Sequence, residues 1–116
     1  MAGGALGFDT LAAQTVLSLK EYYPQIKLVL ALPCQEQTRG WPAKDIEKYG
    51  HILNSADEII YTAEKYFPGC MHARNRYMAE RSDVCICYLT EDKGGAAYTV
   101  KYAKQKGLRI INIAQN

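Results

Sequence analysis

Long apolar runs, histidine and an excess of charge of either sign are what this sequence has least of. None of its apolar stretches approaches the roughly 18–20 residues that a membrane span requires. No basic, apolar and small-residue succession opens it as a secretory leader would. Fourteen Lys and Arg stand against 12 Asp and Glu, a formal charge of +2, too even to point to a polyanionic partner. There are two histidines and four cysteines, with no CxxC pair and no zinc-type interval between Cys and His, so neither a metal nor a cofactor is implied. Cys34, Cys70, Cys85 and Cys87 read as structural thiols in a reducing, cytoplasmic setting. Repeats, low-complexity tracts and linkers are also missing. With 48% apolar residues and little net charge, disorder is excluded, and the length allows one domain over residues 1–116.

What is present is an alternation of helical and extended patterns. Leu11, Ala12, Thr15, Val16 and Leu19 recur at helical spacing from Thr10 to about Tyr22, and Pro24 closes the segment. The run Lys27 to Leu32 is short and continuously apolar, as a strand covered on both faces should be. Pro42 suits the start of a helix reaching about Asn54, with Ile46, Tyr49, Ile52 and Leu53 on its inner face. Glu58 to Thr62 form a second strand and Cys70 to Arg81 a third helix. Val84 to Leu89 follow as a strand in which Cys85 and Cys87 are buried. A helix from Ala97 to Lys106 is stopped by Gly107, and Arg109 to Ile113 make the last strand. Four helices and four apolar strands in this order predict an α/β fold, a parallel sheet with helices on both faces.

In such sheets, ligands sit beyond the C-terminal strand ends. That places residues 33–41, 62–70, 90–96 and the opening loop 3–9 on one edge. The opening loop carries Gly3, Gly4 and Gly7 and runs into a helix that Asp9 or Thr10 can cap. Gly94 and Gly95 precede another helix, with Thr99 in its first turn. Glycines before a helix let backbone amides approach an anion, and the helix dipole adds positive potential. Arg74, Asn75 and Arg76 lie early in the third helix. Two residues apart, the two arginines point roughly 200° away from one another, so at most one faces a pocket. Residues 1–63 hold 5 basic and 7 acidic side chains, residues 64–116 hold 9 and 5, a mild C-terminal bias compatible with a phosphate-bearing ligand. Trp41 serves either as an anchor for its loop or as a platform for a base. His72 is a lone candidate base, and Asp9 the best-placed carboxylate.

These blocks, GGALGFDTLAA, LALPC with Gln37 and Trp41, YFPGCMHARNRYM and KGGAAYTVKYAKQKG, together resemble the YpsA-like branch of the SLOG superfamily, which includes the DprA and LOG proteins. The resemblance extends over essentially the whole chain. It implies a Rossmann-like fold and the binding or sensing of a nucleotide or nucleotide-derived small molecule. By this resemblance, Gly3, Gly4, Gly7 and Asp9 form one phosphate loop and Gly94, Gly95 and Thr99 the other, while Arg74 and Asn75 match the RN pair. Trp41 or a tyrosine is the candidate base platform.

Departures from the family pattern narrow the chemistry. Ala96 stands where branch members commonly have Thr after the paired glycines. Lys93 replaces the Pro of the LOG motif PGGxGTxxE, and Lys101 falls at its Glu. The sequence therefore leans away from an enzyme. Hydrolysis of a nucleotide N-glycosidic bond, with Asp9 as the carboxylate, is the alternative. A DprA-like nucleic-acid binder ranks third, because no basic stripe is present. Resembling proteins also carry a strand-helix-strand segment ahead of the GGALG loop, so the domain is expected to be N-terminally truncated relative to them. The absent strands are expected between the strand at 27–32 and that at 58–61. Exposed strand edges there would make a rearranged sheet or a homo-oligomer, in which another chain fills the gap, the expected outcome.

Overall fold

The computed structural model describes residues 1–115. Among the described residues four helices and four strands alternate along it: α1 (Phe8–Lys20), β1 (Val29–Leu32), α2 (Ala43–Ser55), β2 (Glu58–Tyr61), α3 (Cys70–Glu80), β3 (Val84–Cys87), α4 (Gly95–Gln105) and β4 (Arg109–Asn112). Each lies where the periodicity places it, with ends shifted by no more than two residues. A short 3₁₀ turn, Ile113–Gln115, follows.

Pairing differs from the expectation of one continuous sheet. β1 and β2 pair in parallel, Val29 opposite Glu58 through Leu32 opposite Tyr61. β3 and β4 form a second parallel pair, Val84 opposite Arg109 through Cys87 opposite Asn112. Each pair is a strand-helix-strand unit whose single helix, α2 or α4, returns the chain to the neighbouring position. The gap expected between the strands at 27–32 and 58–61 is therefore not there. Those strands are direct neighbours, because α2 provides the short crossover that adjacent parallel strands need.

The opening lies elsewhere. Carbonyls of Leu28 and Leu32 accept from Glu58 and Thr62, on the β2 side of β1. On the opposite side the Ala2 amide donates to the Val29 carbonyl at 2.9 Å, and the Ala31 amide donates to Ala2 at 2.9 Å. Ala2 is thus a one-residue parallel rung on the far edge of β1. The opening separates this rung from β3.

The core collects around β1. Leu28, Leu30 and Leu32 are fully buried among Ala13, Val16 and Leu17 of α1 and Tyr49, Ile52 and Leu53 of α2. Each such leucine contributes about 1.5–3 kcal/mol relative to exposure. α3 packs on both β1 and α4, and so joins the two halves. The second half is less covered: Val84 and Ile86 are 44% and 59% exposed, and Cys85 and Cys87 are only partly buried. The reading of this strand as buried is corrected: exposed Val84 and Ile86 alternate with partly buried Cys85 and Cys87, so one face of β3 is left largely uncovered. Among the described residues no helix is long and apolar enough to cross a membrane.

One charged tie fastens the first half. Asp57, between α2 and β2, accepts from the Leu28 amide at 2.7 Å and pairs with Lys20 at the end of α1. The Lys20 and Leu28 bonds hold its carboxyl below the ordinary aspartate value. A depressed carboxylate contributes stability that is present above the unfolded pKa and lost as pH falls through the folded one. Asp57→Asn is expected to lower the melting temperature at pH 7, with the difference from the parent shrinking to nothing as acid protonates Asp57. Paired thermal melts from pH 7 to pH 2 check this; a difference independent of pH would remove the charge from the explanation.

Candidate functional site

The opening loop is shaped by its own backbone. Gly7, at φ 82°, stands at the N-terminal boundary of α1, and no side chain caps the helix. Neither Asp9 nor Thr10 takes the capping position, because both already lie inside the first turn. Instead both reach back to Ala5: its amide donates to Asp9 Oδ2 at 3.3 Å, and Thr10 Oγ1 donates to its carbonyl at 2.9 Å. The loop is thereby folded onto the helix whose amide end it precedes. Burial pushes the Asp9 carboxyl above its ordinary value, opposed by the nearby Arg74 guanidinium and the Ala5 amide.

Arg74 is the centre of the arrangement. It projects from α3 and is 3% exposed. Its Nη1 donates to the Gly3 carbonyl, and lies 3.4 Å from both the Ala31 carbonyl and Gln37 Oε1. Its Nε donates to Asn75 Oδ1 at 2.7 Å. Desolvation weakens the hold of this guanidinium on its proton, while Asp9 opposes that shift. A guanidinium fork suits this task because several of its donors can be satisfied at once. Arg76 points away, as two-residue spacing requires, and its Nη1 donates to the Tyr98 hydroxyl at 3.3 Å.

The bonds continue in one direction. Asn75 Nδ2 donates to Thr99 Oγ1 at 2.9 Å, and Thr99 Oγ1 donates to the Gly95 carbonyl at 3.0 Å. A single row of side chains therefore runs from Gly3, through Arg74, Asn75 and Thr99, to Gly95. It connects the first glycine loop to the second across α3. Gly94, at φ 98°, is the boundary residue of α4, and no side chain caps that helix either. An added Cβ at Gly7 or Gly94 meets nothing within 4 Å, so both face open space.

Two residues outside the expected set belong to the network. Gln37 is 6% exposed; its Nε2 donates to the Gly4 carbonyl at 3.4 Å and to the Tyr49 hydroxyl at 3.3 Å. Tyr49 in turn has its phenol raised by burial. The signal for Gln37 was its position, an amide in the loop leaving the C-terminal end of an apolar strand. Trp41 meets the Tyr49 ring edge-on, centroids 5.3 Å apart, so it braces the tyrosine that holds Gln37. His72 lies 4.7 Å from the Tyr98 ring, with Nδ1 buried and without a hydrogen-bond partner among the described residues. Its Cε1 would be 3.8 Å from a Cβ placed on Gly95, at the start of α4.

Comparison with known proteins agrees with this architecture. A family model described as the YspA SLOG family matches residues 1–113. The SPbeta prophage-derived protein YoqJ of Bacillus subtilis strain 168 is 34% identical over 117 residues, covering 90% of this chain and 68% of YoqJ. UPF0398 proteins of Bacillus thuringiensis strain Al Hakam and Bacillus cereus strain Q1 are each 36% identical over 107 residues, covering 90% of this chain and 58% of theirs. The chain thus spans between about half and two thirds of the length of these relatives.

Proposed function

Because the chain belongs to the YspA SLOG family, we propose that it binds a nucleotide or nucleotide-derived small molecule, with phosphates at the amide ends of α1 and α4. The observation that supports this is the row Gly3–Arg74–Asn75–Thr99–Gly95, which ties two glycine loops to one helix. The first-turn amides of a helix have no acceptor within it and carry partial positive charge. In this reading the two ends, tied to α3 by the bonded side chains, each offer their free amides to a phosphate. Arg74 acts here as a positioning residue, since its donors are engaged by carbonyls and by Asn75.

Thermal melts with ADP-ribose, NAD and AMP test this. A ligand at about 100 times its Kd adds about 2.7 kcal/mol of stability, and Asn75→Ala is expected to abolish the increment. Absence of a shift with all three at millimolar concentration overturns the reading.

A second reading, hydrolysis of the N-glycosidic bond of a nucleotide, draws on Asp9. Its raised pKa suits a proton donor beside a glycine loop. Release of free adenine from AMP, abolished by Asp9→Asn, would favour it over simple binding.

A further inference from the structure

We infer that His72, Arg76 and Tyr98 form a receiving site for a terminal phosphate, the phosphomonoester end of the ligand. The inference rests on the binding reading above and adds which end of the ligand lies where. His72 and Arg76 are one turn apart, so they share a face of α3, and both meet Tyr98 of α4. The Tyr98 ring lies 4.7 Å from that of His72, and its hydroxyl accepts from Arg76 Nη1 at 3.3 Å. The phenol keeps its own proton to donate. The cluster stands beside Gly95: His72 Cε1, the carbon bonded to Nδ1, is 3.8 Å from where a Cβ on Gly95 would be.

Two observations point to an anion there. His72 Nδ1 is buried without a hydrogen-bond partner among the described residues. Native structures leave few such atoms unsatisfied, and the exceptions mark places where water, an ion or a ligand supplies the bond. The second observation is the charge of Arg76. Among the described residues it makes no ion pair, although Glu80 stands one turn further along α3 and Glu91 and Asp92 precede α4. Arg74 differs, since Asp9 and three acceptors already surround its charge. The two helix ends are therefore unequal. The α1 end has its cation balanced and suits a bridging phosphate. The α4 end offers an unneutralised guanidinium, a phenol, an imidazole and first-turn amides that no side chain caps. Those donors match the three free oxygens and nearly two negative charges of a terminal phosphate. Tyr98 is 44% exposed and Gly94 and Gly95 are exposed, so solvent reaches the site.

ADP and ADP-ribose test this, because they share adenosine and both phosphates and differ in whether the second phosphate is a free monoester. Calorimetric titration of the full 116-residue chain is expected to show ADP bound about tenfold more tightly, the worth of a hydrogen bond to a charged group. Arg76→Ala is expected to weaken ADP about tenfold and to leave ADP-ribose within about twofold. His72→Phe keeps a ring against Tyr98, removes both nitrogens and should reduce the same preference. Ligand-free thermal melts close to that of the parent show that both variants fold. The parent itself supplies a third readout, since it has two histidines. In nitrogen-labelled histidine spectra, ADP is expected to shift the His72 signals and to leave those of His51, on α2, in place. Equal affinity of the parent for the two ligands overturns the proposal and leaves the binding reading standing. Equal losses of both ligands in Arg76→Ala, or His72 signals unmoved by saturating ADP, do the same. If neither ligand binds, the binding reading falls and this proposal with it.

Discussion

Arg74→Ala is expected to destabilise the chain by about 3–5 kcal/mol, the cost of removing one member of a buried charged network. A chain of this size has about 6–17 kcal/mol to lose, so the loss is a large part of the whole. The reason lies in the acceptors. The carbonyls of Gly3 and Ala31 and Oε1 of Gln37 all face Nη1. Each buried acceptor left without a partner costs about 1–3 kcal/mol. Asp9 would lose its nearest opposing charge, and its carboxyl would rise further from the ordinary value. Arg74→Lys retains the charge beside Asp9, but one ammonium cannot serve both the Gly3 carbonyl and Asn75 Oδ1 across the width of a guanidinium. It should recover only part of the loss. Urea denaturation of the three proteins at pH 7 checks the order: parent, then lysine, then alanine. An alanine variant within about 0.5 kcal/mol of the parent, the range typical of surface changes, would mean that Arg74 does not hold the loop.

That order shows what the sequence reveals and what it conceals. The elements were legible because apolar spacing is a local property: Leu11 to Leu19 and Lys27 to Leu32 state their periods without help from the rest of the chain. The opposite directions of Arg74 and Arg76 followed from helix geometry alone. The role of Arg74 did not, since the Gly3 carbonyl it holds is 71 residues away. Strand order was illegible for a related reason. Nothing within Lys27–Leu32 distinguishes the neighbour on its left from that on its right. The pairing is decided by where α2 returns the chain, which puts β2 beside β1 and moves the opening to Ala2. Gln37 stands in the LALPC block of the resemblance, but one uncharged amide in a polar loop states no role of its own. Its meaning comes from Gly4 and Tyr49, which the fold brings to it. The capping of α1 by Asp9 or Thr10 was a sound local inference that lost to a backbone feature, the positive φ of Gly7 one residue ahead of the helix.

The glycines of the opening loop should respond unequally to alanine, and the ranking tests whether the loop is held by packing or by conformation alone. Gly4 and Gly7 both have positive φ, 70° and 82°, a strain of roughly 1–3 kcal/mol for a residue with a Cβ. At Gly7 that is the whole cost, because an added Cβ meets nothing within 4 Å. At Gly4 the same atom would fall 2.6 Å from Leu32 Cδ2 and 3.3 Å from Gln37 Nε2. Leu32 is fully buried and cannot retreat without disturbing β1. Overpacking of this kind adds about 1–3 kcal/mol, which brings Gly4→Ala to roughly 2–6 kcal/mol. Gly3→Ala separates a third effect. Its φ is not positive, but its Cβ would lie 2.7 Å from Arg74 Nη1 and 2.9 Å from Asp9 Oδ2. It should therefore displace the guanidinium from the carbonyl it holds and weaken ligand binding beyond its cost in stability. Urea midpoints give the order Gly4, then Gly7, among the strained positions. Ligand melts on Gly3→Ala and Gly7→Ala then show whether the proposed binding depends on the arginine contact or on the turn itself. Equal losses at Gly4 and Gly7 would mean that Leu32 yields and that the loop rests on conformation alone.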